Sequence, residues 1–121
     1  MHFLDTYAIV EIIKGNPAYK KFADSASVTT SYNLMELYYI LLRLYDEKTA
    51  EKYYAQFRPI CVPVSEDTVK QAMKFRLSQR KKKNLISYID CIGYIMSLEL
   101  GIKFLTGEKH FTELKNVEFV K

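Results

Sequence analysis

Met1-His2-Phe3-Leu4-Asp5-Thr6 opens the chain and reads as a short buried strand that runs straight into a carboxylate. From there the pattern changes period. Tyr7 to Lys14 places Ala8, Ile9, Ile12 and Ile13 at helical spacing, with Glu11 and Lys14 outside them. Gly15-Asn16-Pro17 stops that helix, and Pro17 suits the first turn of another, running through Ala18 to Ala23. Ser27-Val28-Thr29-Thr30-Ser31 is β-branched after a polar break and predicts a second strand. Asn33 is placed to cap a helix to about Leu44, and a further helix is expected from about Thr49 to Phe57. Pro59-Ile60-Cys61-Val62-Pro63-Val64 predicts a third strand, and Ser65-Glu66-Asp67 opens a helix to about Gln79. After the basic loop Arg80-Lys81-Lys82-Lys83-Asn84, Ser87 begins a helix through Leu100 that Gly101 is placed to end. Ile102 to Thr106 and Val117 to Val120 predict the last two strands. Strands alternating with helices imply an α/β fold, a central parallel sheet with helices on both faces.

The bulk composition bounds the rest. A chain of 121 residues, 49% hydrophobic with only four glycines and three prolines, predicts one globular domain over residues 1–121. A formal net charge of +4 mildly favours an anionic partner. Cys61 and Cys91 stand far apart with no metal-binding spacing and read as two thiols. The first residues already look like strand, with no leader pattern, and no apolar run nears the roughly 18–20 residues that span a bilayer. The expectation is a cytoplasmic protein with no membrane partner.

Four acids stand beside apolar runs. In a parallel sheet, ligands bind beyond the carboxyl ends of the strands. Asp5 ends the first strand, Glu36 follows the second, Asp90 starts a helix and Glu108 follows the fourth. Each has a plain structural role open to it. Asp5 can cap the helix beginning near Thr6. Glu36 and Asp90 lie three residues after Asn33 and Ser87, the spacing of a capping box. Glu108 and His110 read as loop residues. Glu36, however, is the one acid between Asp24 and Asp46, in a helix apolar nearly all round. Asp90 has no charged neighbour in sequence between Lys83 and Glu99. Buried carboxylates are costly unless paired or bound to a cation. Clustered carboxylates repel one another, and a hard divalent cation relieves that repulsion. Acids without clustered His or Cys suit Mg²⁺ or Mn²⁺ better than Zn²⁺. Thr6 and Thr106 are placed to add hydrogen bonds behind such ligands.

Phe3-Leu4-Asp5-Thr6, Asn33-Leu34-Met35-Glu36, Ser87-Tyr88-Ile89-Asp90 and Leu105-Thr106-Gly107-Glu108-Lys109-His110-Phe111 resemble, in order and spacing, the four acidic motifs of PIN domains. The chain looks most like the toxin ribonuclease of VapBC-type toxin–antitoxin pairs. The resemblance implies a three-layer α/β/α sandwich and metal-dependent cleavage of RNA. It carries Asp5, Glu36 and Asp90 onto the core metal-binding acids and Glu108 onto the fourth, where the family more often has Asp. It also implies an antitoxin protein as partner and a homodimer.

On this reading Asp5, Glu36, Asp90 and Glu108 hold Mg²⁺ or Mn²⁺ and serve hydrolysis of a phosphodiester. Arg80, Lys81, Lys82 and Lys83, with Arg76 before them, are the candidates for RNA phosphate contacts, although a solvated loop explains them equally well. Some of the ten tyrosines can stack on unpaired bases. Two other readings compete. An RNA-binding or RNA-processing module would have the fold with weak or no catalysis. A phosphoacceptor receiver domain needs an Asp at the end of the third strand, and Cys61-Val62-Pro63-Val64 has none.

Overall fold

Phe3 and Leu4 point to opposite faces of the sheet and so divide the core in two. The computed structural model describes residues 1–121. Strands β1 (His2–Leu4), β2 (Ser27–Val28), β3 (Lys103–Thr106) and β4 (Val117–Phe119) form one sheet in the order β2-β1-β3-β4. Every pairing is parallel. Helices α1 (Thr6–Ile13), α2 (Lys20–Ala23), α3 (Ser31–Leu44), α4 (Glu47–Phe57), α5 (Glu66–Lys81) and α6 (Tyr88–Leu100) supply the crossovers that parallel strands require.

The register sets Phe3 against Phe104 and Leu4 against Leu105. Side chains alternate along a strand, so the two pairs face opposite ways. Leu4 and Leu105 pack with Ile9, Leu34, Leu37, Leu41 and Phe57 from α1, α3 and α4. Phe3 and Phe104 stack at 5.7 Å and pack with Ala72 of α5 and with Cys91 and Ile92 of α6. The result is the expected α/β/α sandwich with helices on both faces. Phe104 is fully buried, and truncating such a side chain to Ala costs ~3–5 kcal/mol. Cys61 and Cys91 are both free thiols. No helix is long and apolar enough to cross a membrane.

Three local expectations need correction. Pro59 to Val64 is not a strand. Arg58–Ile60 is a 3-10 turn, and Cys61 makes only an isolated bridge to Thr29. Proline has no N–H to give to a ladder, and Pro59 and Pro63 bracket this stretch, so the sheet has four strands and not five. The cap of α3 is Thr30, not Asn33. The Thr30 side chain accepts from the Asn33 amide, and the helix begins at Ser31. Nor is the basic run wholly a loop: Arg80 and Lys81 form the last turn of α5, where cations oppose the negative end of the helix dipole. Gly101 ends α6 as expected, in the left-handed region at φ +67°.

Candidate active site

Asp5 is the first residue past β1 and Thr106 is the last residue of β3, the strand beside it. Their side chains meet. The Thr106 hydroxyl donates a short hydrogen bond to Asp5 Oδ2. Asp5 Oδ1 accepts from the Ala8 amide at 2.8 Å and so caps α1. The cap is therefore real, and it occupies only one carboxylate oxygen. Asp5 is 1% exposed, and no basic group lies against it.

The other acids arrive from three elements. Glu36 lies one and a half turns into α3. Asp90 is in the first turn of α6, where Ser87 Oγ caps by accepting the Asp90 amide at 3.1 Å. Glu108 follows β3, and its amide donates to Thr106 Oγ1 at 2.9 Å. The Thr106 hydroxyl thus joins Asp5 to the backbone of Glu108. Gly107 lies between them because a Cβ there would meet the Tyr7 ring and come 2.5 Å from the Val120 carbonyl oxygen.

Asp5, Glu36, Asp90 and Glu108 line one cleft of about 210 Å³ with Thr6, Tyr7 and Ile40. The largest hollow, about 500 Å³ between Ile12 and Ala23, has no acid, histidine or thiol in its wall, so size does not select it as a reaction site. The chemistry lies in the smaller cleft. Burial, then the nearby charge of Asp90, pushes the Asp5 carboxyl well above the usual range. Burial, then Glu36, raises Asp90 to about 7, with Glu108 adding to the same effect. Asp5 and Asp90 therefore resist ionisation, Glu36 adding to the effect on both and Glu108 to that on Asp90.

This donor set fits a hard divalent cation. It offers carboxylate oxygens and carries mutual repulsion that a cation removes, and of the four only Glu108 pairs with a basic group, His110. As the side chains stand, no three of them are gathered closely enough to hold an ion. Glu108 is drawn elsewhere: its Oε1 accepts from His110 Nδ1 at 2.8 Å.

The supporting residues divide. Thr106 contacts Asp5 directly. Thr6 does not: its hydroxyl lines the cleft and accepts from Asn33 Nδ2 at 3.1 Å. Asn33 is fully buried, and the Thr30 hydroxyl donates to its Oδ1 at 2.6 Å. Asn33 thereby ties the start of α3, and with it Glu36, to the start of α1. Reading Asn33 as a cap missed this tie; Thr30-Ser31-Tyr32-Asn33 carries the signal for the cap at Thr30 but none for the contact with Thr6. Tyr7 and His110 are the other contributors the sequence did not single out as site residues. Arg80, Lys81, Lys82 and Lys83 are exposed and stand outside the cleft.

The family model described as PIN domain matches residues 2–117. No curated protein matches the chain in sequence. Among solved structures it is similar to the Mycobacterium tuberculosis toxin VapC20, described as cleaving the sarcin-ricin loop. The TM-score is 0.81 at 18% identity, over 98% of each chain. It is similar also to VapBC2 from Rickettsia felis bound to a promoter DNA fragment, with TM-score 0.75 and 16% identity over 98% of this chain and 96% of that one. A toxin–antitoxin complex from Klebsiella pneumoniae gives TM-score 0.75 and 14% identity over the same shares.

Proposed function

Since the chain belongs to the PIN domain family, we propose that it is a metal-dependent ribonuclease acting as the toxin of a toxin–antitoxin pair. The observation that carries this reading is the cleft lined by four acids from separate parts of the chain, three of which have no basic partner. Such a site is a poor place for carboxylates alone and a good one for Mg²⁺ or Mn²⁺.

Asp5, Glu36 and Asp90 would hold the ion, and Glu108 would assist it or place the attacking water. A bound divalent cation supplies charge neutralisation at the phosphate and a water of lowered pKa. The protein's own part is to hold and orient. Asp5 is fixed by its amide and hydroxyl donors, so one oxygen edge is presented in a set direction. Asn33 fixes α3 against α1, which sets the depth of Glu36. Glu108 carries one methylene more than the Asp usual at its place. Its Oε1 accepts from His110 Nδ1 while the residue lines the cleft with the other acids.

Outside the cleft, none of the molecule's ion pairs involves Arg76, Arg80, Lys81, Lys82 or Lys83. Their field is left free for RNA phosphates. The exposed apolar residues Met35, Tyr39 and Leu42 on α3 suit protein contacts, and we assign that face to a second copy of the chain or to an antitoxin. A second reading, an RNA-binding PIN module with weak or no catalysis, draws on one observation: the acids do not close on a common point.

Incubation of single-stranded RNA with Mg²⁺, with Mn²⁺, with EDTA, and with Asp5→Asn separates the two. The nuclease reading expects cleavage with metal alone and none in EDTA or with Asp5→Asn. Binding without cleavage under every metal condition would favour the module. Equal cleavage in all conditions would overturn the metal-dependent account.

A further inference from the structure

Tyr88 is the first residue of α6, two positions before Asp90. The two residues share the first turn of α6, but side chains two positions apart on a helix diverge by about 200°, so the ring lies on another face of the helix start and does not line the acid cleft. Tyr88 is 60% exposed. One face of its ring is covered by the Arg76 guanidinium, whose Cζ lies 4.2 Å from the ring centroid. Arg76 is itself anchored, because its Nε donates to the Ile86 carbonyl at 3.0 Å. The ring is therefore backed on one side by a fixed cation and open to solvent on the other.

We propose that Tyr88, backed by Arg76, is a stacking platform for an unpaired nucleobase of the strand whose phosphate lies at Asp5, Glu36, Asp90 and Glu108. The proposal rests on the nuclease reading and deepens it by assigning the residue that holds a base near the bound phosphate. Three features of the site favour a base over other occupants. The open ring face is flat and apolar, as a base face is. The guanidinium behind it holds the ring in place before the ligand arrives. The Arg76 cation at the ring has no acid partner, which suits a flanking phosphate and disfavours a plain apolar protein contact. Bases in an intact duplex are already stacked on both faces, so the platform selects against duplex.

The test uses a short single-stranded RNA carrying 2-aminopurine at successive positions, whose fluorescence falls on stacking. It is titrated into Asp5→Asn protein, which keeps the RNA whole, with Tyr88→Ala or Tyr88→Phe added. Steady-state cleavage is followed for the same Tyr88 changes in otherwise unaltered protein. The expected result is quenching at one or two positions, kept by Tyr88→Phe and lost by Tyr88→Ala. Tyr88→Ala is expected to bind about 5- to 150-fold more weakly and to raise KM for single strands. Quenching and affinity unchanged in Tyr88→Ala would overturn the platform. So would a change in self-association by sedimentation with the probe response intact, since Tyr88 would then serve a protein contact. If the unaltered protein cuts no RNA with Mg²⁺ or Mn²⁺ while the probe is still quenched through Tyr88, the nuclease reading fails and the platform stands.

Discussion

Asp5 does two things with one side chain. Oδ1 caps α1, and Oδ2 takes the hydroxyl of Thr106. Removing that donor leaves a buried carboxylate short of a partner, which costs ~1–3 kcal/mol. Thr106→Val is therefore expected to lower stability by that amount in urea unfolding. It is also expected to lower cleavage about 10- to 100-fold, since it frees the orientation of Asp5. Asp90 makes a prediction about pH. Its carboxyl is raised by burial, then by Glu36, from 3.8 to about 7. The unfolded chain thus gives up this proton before the folded one does. Folding is unpenalised below about pH 4, and stability falls as pH rises from there through about 7. Melting curves in EDTA are expected to show a lower Tm at pH 8 than at pH 5, and Asp90→Asn is expected to flatten the difference. A divalent cation should restore the high-pH Tm of the unaltered protein, because ligands of the folded state stabilise it.

The elements were legible in proportion to how local their signals are. α1, α5 and α6 follow from apolar spacing and from Ser65, Ser87 and Gly101 at their ends. β1 and β3 follow from short apolar runs leading into polar residues. The stretch from Pro59 to Val64 misled because β-branched residues argue for strand while two prolines deny the ladder its donors. α3 misled differently. Its apolar residues run nearly all round, which predicts burial on several sides, yet Met35 is 59% and Tyr39 65% exposed. Periodicity reports that a face is apolar and cannot say whether the same chain or another covers it. The same limit applies to the site. Glu36 and Asp90 could be picked out because each stands in an apolar run, whereas Asp5 and Glu108 gained weight only as members of the set. The Asn33 tie and the Glu108–His110 contact depend on long-range packing and on a side-chain rotamer, which spacing does not encode. Gly107 belongs to this scale as well. Gly107→Ala forces the loop off Tyr7 and the Val120 carbonyl and displaces Glu108. We expect it to lower Tm and to reduce cleavage more than Glu108→Gln does, as measured on both variants side by side.

At the scale of the whole molecule, the sheet serves as a ruler. It holds Asp5 and Thr106 at adjacent strand ends, and helices on both faces bring Glu36 and Asp90 to that edge. Basic residues gather outside it at the end of α5, away from the acids. On the proposed reading, this separation would let one small molecule carry both a carboxylate centre and a surface for RNA phosphates. Each phosphate contact adds about 0.7 to the slope of log affinity against log salt for a single strand. Replacing Lys81, Lys82 and Lys83 together by Gln is expected to reduce that slope by about 2 in RNA-binding titrations, without changing the metal requirement.

The account turns on the four carboxylates acting as one cation centre, and Mn²⁺ binding at pH 7.5 tests that most directly. Calorimetric or electron-paramagnetic titration of the unaltered protein is predicted to show saturable binding. Asp5→Asn and Asp90→Asn are each predicted to weaken it at least about tenfold, as loss of a direct ligand should. Absence of binding by the unaltered protein, or equal binding by all three, would contradict the account.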